Sequence, residues 1–149
     1  MAELMLLCRV HAAVCALPLG QVIETLRPLP LEPLAGAPSF VCGVSVLRGV
    51  PVPVVDLGLL LAAEQVRATR FVALRAGAHT VAVAVEAVLG VRALERGNEG
   101  ALPPLLRDAA SHVIRALRSL DRELLLVLDS GRLVPDELLA GLESPEPPS

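Results

Sequence analysis

The sequence predicts a mainly β fold of two similar small β units packed on a shared core, with short helices. Three observations carry that expectation. Short apolar runs broken by turn residues recur along the 149-residue chain and read as strands. The pattern of the first half returns about 65 residues later, as two imperfect copies of one unit would. Pro51 and Pro53 stand two apart in a single apolar run, so their missing N–H groups lie on one edge. That run therefore belongs at a sheet margin, a bulge or a barrel corner.

Taken in order, residues 4–10 (LMLLCRV) and 13–19 (AVCALPL) form a hairpin around His11 and Ala12. Residues 71–75 (FVALR) and 80–85 (TVAVAV) repeat the plan, with Gly77 supplying the positive φ of a tight turn. Leu19-Gly20-Gln21-Val22 lies over Val85-Glu86-Ala87-Val88 at an offset of 66 residues. Val52-Pro53-Val54-Val55-Asp56 lies over Leu125-Leu126-Val127-Leu128-Asp129 at an offset of 73. Each half thus reads hairpin, Val-containing bend, irregular segment, apolar strand ending in Asp, short Leu-rich helix. One such unit would bury little core alone. Two cover each other's apolar faces and leave a groove at the seam. Residues 62–69 form a short polar connection, and residues 92–112, with Gly97, Gly100, Pro103 and Pro104, read as a long loop with a helical turn at 104–110. Residues 135–142 carry Asp136 and Glu137 in the first turn of a short helix. Residues 143–149 (ESPEPPS) read as a disordered acidic, proline-rich tail.

Composition excludes several functions. All 13 basic residues are arginine, so Schiff-base chemistry and a P-loop lysine are out. The only aromatic residues are Phe40 and Phe71, which rules out an aromatic platform for single-stranded nucleic acid. A net charge of −3 gives no basic field for DNA or anionic lipid. Arg48, Asp56, Glu86 and several prolines interrupt every long apolar stretch, so no direct membrane insertion is expected. The first twenty residues imitate a signal sequence, but Glu3 replaces the positive n-region and Arg9 and His11 break the apolar run. Three cysteines, Cys8, Cys15 and Cys42, lack metal-site spacing and read as reduced cytoplasmic thiols. Neither a cofactor nor a metal is expected. Hairpin pairing places Cys8 opposite Cys15, and the histidines His11, His79 and His112 read as solvated turn or loop residues.

Residues 39–58 (SFVCGVSVLRGVPVPVVDLG) are the most distinctive stretch. Gly43, Val44, Leu47, Arg48, Gly49, Pro53, Val54, Asp56 and Leu57, with LPLGQVIETL upstream, resemble the CheW family of bacterial chemotaxis adaptors. The resemblance extends over residues 4–142. Three positions depart from the family pattern: Val46 replaces an Asn, Glu86 an Asp, and residues 113–118 lack a glycine. The resemblance implies a CheW-like fold of two SH3-like, five-stranded β-barrel subdomains around a shared core. It implies a single domain over 1–142, with subdomains at about 14–69 and 70–134 and an N-terminal strand exchanged between them. It also implies a protein that is not an enzyme. Family members bridge chemoreceptor signalling tips to the regulatory domain of a CheA-type histidine kinase, in the cytoplasm at membrane-associated receptor arrays.

The resemblance carries candidate interface residues over to Val22, Glu24, Gly43, Arg48, Val85 and Val88. The family pattern pairs Arg48 with Glu24. That pair is either a purely structural ion pair or one that orders the receptor groove. The valines are either core or flanks of a groove for a receptor helix, and Gly43 and Gly49 serve backbone geometry. Asp56 and Asp129 each end a strand and read as N-caps of the following helix rather than a catalytic carboxylate pair. The family's role admits two outputs, motility or a chemosensory-like pathway controlling development or gene expression. Interfaces concentrate energy in Tyr, Trp and Arg, and here arginine alone is available. Weak individual contacts suit arrays, where many engagements supply avidity.

Overall fold

Apolar runs on both sides of each turn generate strands that cannot remain two-stranded, since an isolated hairpin is marginal in water. The computed structural model describes residues 2–95, 114–120, 123–128 and 133–134. Its strands are β1 (Ala2–Val10), β2 (Ala13–Pro18), β3 (Val22–Leu26), β4 (Val41–Leu47), β5 (Val50–Asp56), β6 (Arg70–Ala76), β7 (His79–Val85), β8 (Ala87–Glu95), β9 (Ile114–Leu120) and β10 (Glu123–Leu128). A 3-10 turn, Leu19–Gln21, precedes β3, and helix α1 (Leu57–Ala62) follows β5. The strands form two five-stranded sheets, ordered β8-β1-β2-β10-β9 and β3-β6-β7-β5-β4.

The two orders become identical when β1–β5 are exchanged with β6–β10. Each half gives its opening hairpin to one sheet and its three later strands to the other. The equivalence reaches individual residues: Val22 pairs with Leu74 as Val88 pairs with Cys8, and a bulge follows each, at Ile23 and at Leu89. The parallel contacts match too, β10 beside β2 and β5 beside β7. Subdomain limits of 14–69 and 70–134 therefore do not follow the sheets, and the exchanged unit is a whole hairpin, not one N-terminal strand. The reason lies in connectivity. A parallel neighbour needs a long crossover, so β2 finds its second partner in the far half of the chain.

Side-chain alternation divides the core. Leu6, Cys8, Val10, Cys15, Leu17, Leu126 and Leu128 join Val52, Val54, Val72, Val81 and Val83 of the other sheet in one cluster. Met5, Leu7, Val14, Ala16, Leu125 and Val127 fill a second cluster on the opposite face of their sheet. Strands buried on both faces have no polar side to show, which is why these runs are continuously apolar. Pro51 and Pro53 pair with Val46 and Val44 on β4, while the ladder to β7 begins only at Val54. They occupy the half of β5 with one neighbour, as two missing donors require.

Two strands differ from the sequence reading. Residues 22–26 and 87–95 are strands where the sequence reads an irregular segment after each bend, and residues 92–95 belong to β8 rather than to a loop. Both are outermost in their sheets and carry exposed Ile23, Leu89 and Val91, so neither shows the apolar run that marks a buried strand. The helical turn at 104–110, the helix at 135–142, the tail at 143–149, His112 and Asp129 lie outside the described residues.

Candidate functional site

The β4–β5 hairpin ends in a two-residue loop, Arg48-Gly49, with φ of +52° and +80°. Positive φ at both positions matches the strand twist of a tight hairpin, and glycine accepts it freely. The loop holds Arg48 outward, where it reaches Glu24 on β3. Its Nε donates to Glu24 Oε2 at 2.8 Å and its terminal NH2 lies 2.8 Å from the same oxygen. The two-nitrogen grip therefore closes on one carboxylate oxygen rather than on both. Arg48 is 75% exposed and Glu24 26%, so the pair sits at the surface and ties the hairpin tip to the opposite margin of the sheet. The hydrogen bond to Glu24 and its charge hold the guanidinium above its ordinary pKa. Val46 and Val50 flank the loop and are exposed.

Gly43 has φ +149° and is buried against residues 30–32. A Cβ there would stand 2.5 Å from the Glu32 carbonyl oxygen. That closeness permits the paired backbone bonds between Glu32 and Val44, each 2.8 Å, while Ser45 Oγ donates to the Pro30 carbonyl at 2.9 Å. The proline-containing segment is thereby fastened along β4, covering its outer edge. Asp56 is 3% exposed and caps α1, accepting from the Leu59 N–H at 3.0 Å. Its two oxygens also accept the buried Val66 N–H at 3.2 Å each. Leu57 and Pro53 are buried beside it, and Leu47 is half-buried.

Of the candidate valines, Val22 and Val88 are half-buried at the starts of the two crossing strands, packed on the shared core. Val85 is 0% exposed, so it is core and offers no surface to a partner. Gly43 likewise acts through its backbone. The structure thus joins Glu24 and Arg48, sets Val22 two residues from Glu24, and places Val88 at the equivalent position of the other sheet. Sequence reasoning missed a second constellation, around His11, Gly58, Glu64 and Glu86. A turn at His11 without glycine was its one local signal.

The family model described as the CheW-like domain matches residues 4–138. The chain belongs to the CheW-like domain family. It is 34% identical over 107 residues to Protein FrzA of Myxococcus xanthus, a match covering 68% of this chain and 66% of that protein. It is 29% identical over 110 residues to Chemotaxis protein CheW of Klebsiella aerogenes, covering 72% of this chain and 66% of that one. The matches thus span just under two thirds of either relative. Among solved structures, scaffolding protein TtCheW from Thermoanaerobacter tengcongensis superposes with a TM-score of 0.72 at 17% identity. That superposition covers 87% of this chain and 90% of TtCheW, and establishes the shared fold. The two sheets are those of a CheW-like fold, with its SH3-like barrels. Among the described residues, no helix is long and apolar enough to cross a membrane.

Proposed function

We propose that this chain is a non-catalytic adaptor that couples chemoreceptor cytoplasmic tips to the regulatory domain of a CheA-type histidine kinase in chemotaxis signal transduction. The observation that carries this reading is the pair of valine rims. Val22 and Val88 each rest on the core common to both sheets, with exposed Ile23 and Leu89 beside them. An apolar rim of this kind accepts the apolar face of a helix, and receptor tips are helical. The Arg48–Glu24 pair lies next to Val22 and would hold that rim in shape. Residues 1–142 act as one unit in this reading, in the cytoplasm at membrane-associated receptor arrays.

A second reading keeps these contacts and changes the output, to a chemosensory-like pathway controlling development or gene expression. Likeness to FrzA, a relative whose name is not a chemotaxis name, favours keeping it. Co-purification with a CheA-type kinase and a receptor signalling tip tests the adaptor role, followed by kinase activity with and without this protein. Binding to both, with a change in kinase activity, supports it. Failure to bind either partner removes it. Deletion of the gene, read for motility and for developmental output, separates the two readings.

A further inference from the structure

His11 sits at the tip of the β1–β2 hairpin with φ +54°, where Gly77, φ +63°, sits in the equivalent β6–β7 hairpin. Positive φ is uncommon outside glycine, and here the turn is held by long-range contacts. Its backbone N–H donates to Glu86 Oε1 at 3.0 Å, and its ring Nδ1 lies 3.1 Å from the same oxygen. The other ring nitrogen, Nε2, lies 2.8 Å from the Glu64 carbonyl oxygen. The ring is thus not a free solvated turn residue, and its side chain is only 25% exposed.

Three pieces of the fold meet at this ring. His11 belongs to one sheet, Glu64 follows α1 of the other, and Glu86 is where the chain passes from β7 in one sheet to β8 in the other. The Glu86 N–H donates to the Arg9 carbonyl at 3.0 Å, and the Thr69 hydroxyl donates to the Glu86 carbonyl. Helix α1 makes room for the ring. A Cβ on Gly58 would stand 2.6 Å from His11 Nε2 and collide with the Glu64 carbonyl.

Both ring nitrogens face acceptors, a carboxylate oxygen and a carbonyl oxygen. A neutral imidazole has one N–H and can satisfy one of them, whereas an imidazolium donates to both. Among the described residues, the charged groups acting on the ring are Glu64 after α1, Glu86 in the β7–β8 connection and Asp56 at the start of α1, all acidic. We propose that His11 is a proton-operated latch: its imidazolium clamps the α1–β6 segment and the β7–β8 connection onto the hairpin tip, and loss of the proton releases one ring contact. The Glu64 carbonyl, more than offsetting partial desolvation, raises the His11 pKa above 6.5, and the three acidic side chains add to it. Because the folded-state value is raised, the latch's stabilisation is full below about 6.5, the unfolded value, and is lost as pH rises through the folded value.

The test is an NMR titration of the full chain with labelled histidine, the His11 signal assigned by its absence in His11→Asn. Asparagine tolerates left-handed φ, so this variant keeps the turn. His11 should titrate above 6.5, and Glu86→Gln should lower that value. The urea midpoint of the wild type should exceed that of His11→Asn in acid, the gap closing as pH rises through the folded value. Each pKa unit of elevation enlarges the folded-to-unfolded ratio about tenfold. Amide exchange over residues 63–69, corrected for intrinsic rate, should slow on acidification in the wild type only. Titration at or below 6.5, or a gap between wild type and variant that does not change with pH, would overturn the latch. If His11→Asn fails to fold, His11→Gly, which copies Gly77, takes its place in the same measurements.

Discussion

Asp56→Ala offers a quantitative test of how the family motif works in this chain. The aspartate is 3% exposed and serves two main-chain donors, the Leu59 N–H and the Val66 N–H. Removing an N-cap typically costs about 1 kcal/mol. Leaving a buried N–H such as that of Val66 without its acceptor costs roughly another 1–3 kcal/mol. Together these predict a loss of about 3 kcal/mol. With a urea m-value of about 2 kcal/mol/M, the unfolding midpoint should fall by about 1.5 M. Asp56→Asn retains one carbonyl acceptor and should lose about 1 kcal/mol, on the scale of a single ordinary hydrogen bond. The chain has neither Trp nor Tyr, so urea titration is followed by far-UV circular dichroism. Equal midpoints for the Ala and Asn variants, or a loss below about 0.5 kcal/mol for Ala, within the range of ordinary surface substitutions, would refute the reasoning.

Other substitutions probe the remaining features. Gly43→Ala should destabilise by about 2 kcal/mol or more, because its Cβ would press on the Glu32 carbonyl as well as adopting a disfavoured φ. Gly49→Ala meets open space and should lose only about 1 kcal/mol, the backbone term, when both are compared by urea midpoint. Glu24→Arg and Arg48→Glu together should restore folding and receptor-tip pull-down better than either single change, and singles as competent as wild type would contradict the pairing. Burial pushes the Cys8 thiol up to about 12 and the Cys15 thiol higher still, and raises that of half-buried Cys42 less sharply. Thiol titration near neutral pH should therefore find Cys42 reacting first and the other two reacting only with unfolding.

What the sequence made readable was local or repeated. The apolar runs of β1, β2, β6 and β7 are buried on both faces, so each could be recognised without its partner. Asp56 could be assigned as a cap because the helix it serves begins at the next residue. Arg48 and Glu24 are 24 positions apart, and family resemblance pairs them where no local pattern does. The unreadable parts depend on distant approach. His11 meets Glu86 across 75 positions, and the need for glycine at 58 appears only once that ring is seated. Strands β3 and β8 carry exposed apolar residues at their bulges, which makes them look like irregular segments. The offset of 66 residues revealed that there were two copies, but not that their hairpins had changed places.

That exchange makes the chain the single-polypeptide counterpart of a two-fold dimer whose subunits have traded arms. In each sheet the traded hairpin occupies central places, so its removal separates the first strand of the row from the last two. A cut within residues 63–69 would leave each fragment holding its partner's middle strands. Neither fragment could complete a sheet from its own residues. Co-produced, they would rebuild the protein by intermolecular assembly, with the subunit interface running through both sheets, between each hairpin and the strands on either side of it. The two barrels are therefore obligate partners, and damage to either half reaches both.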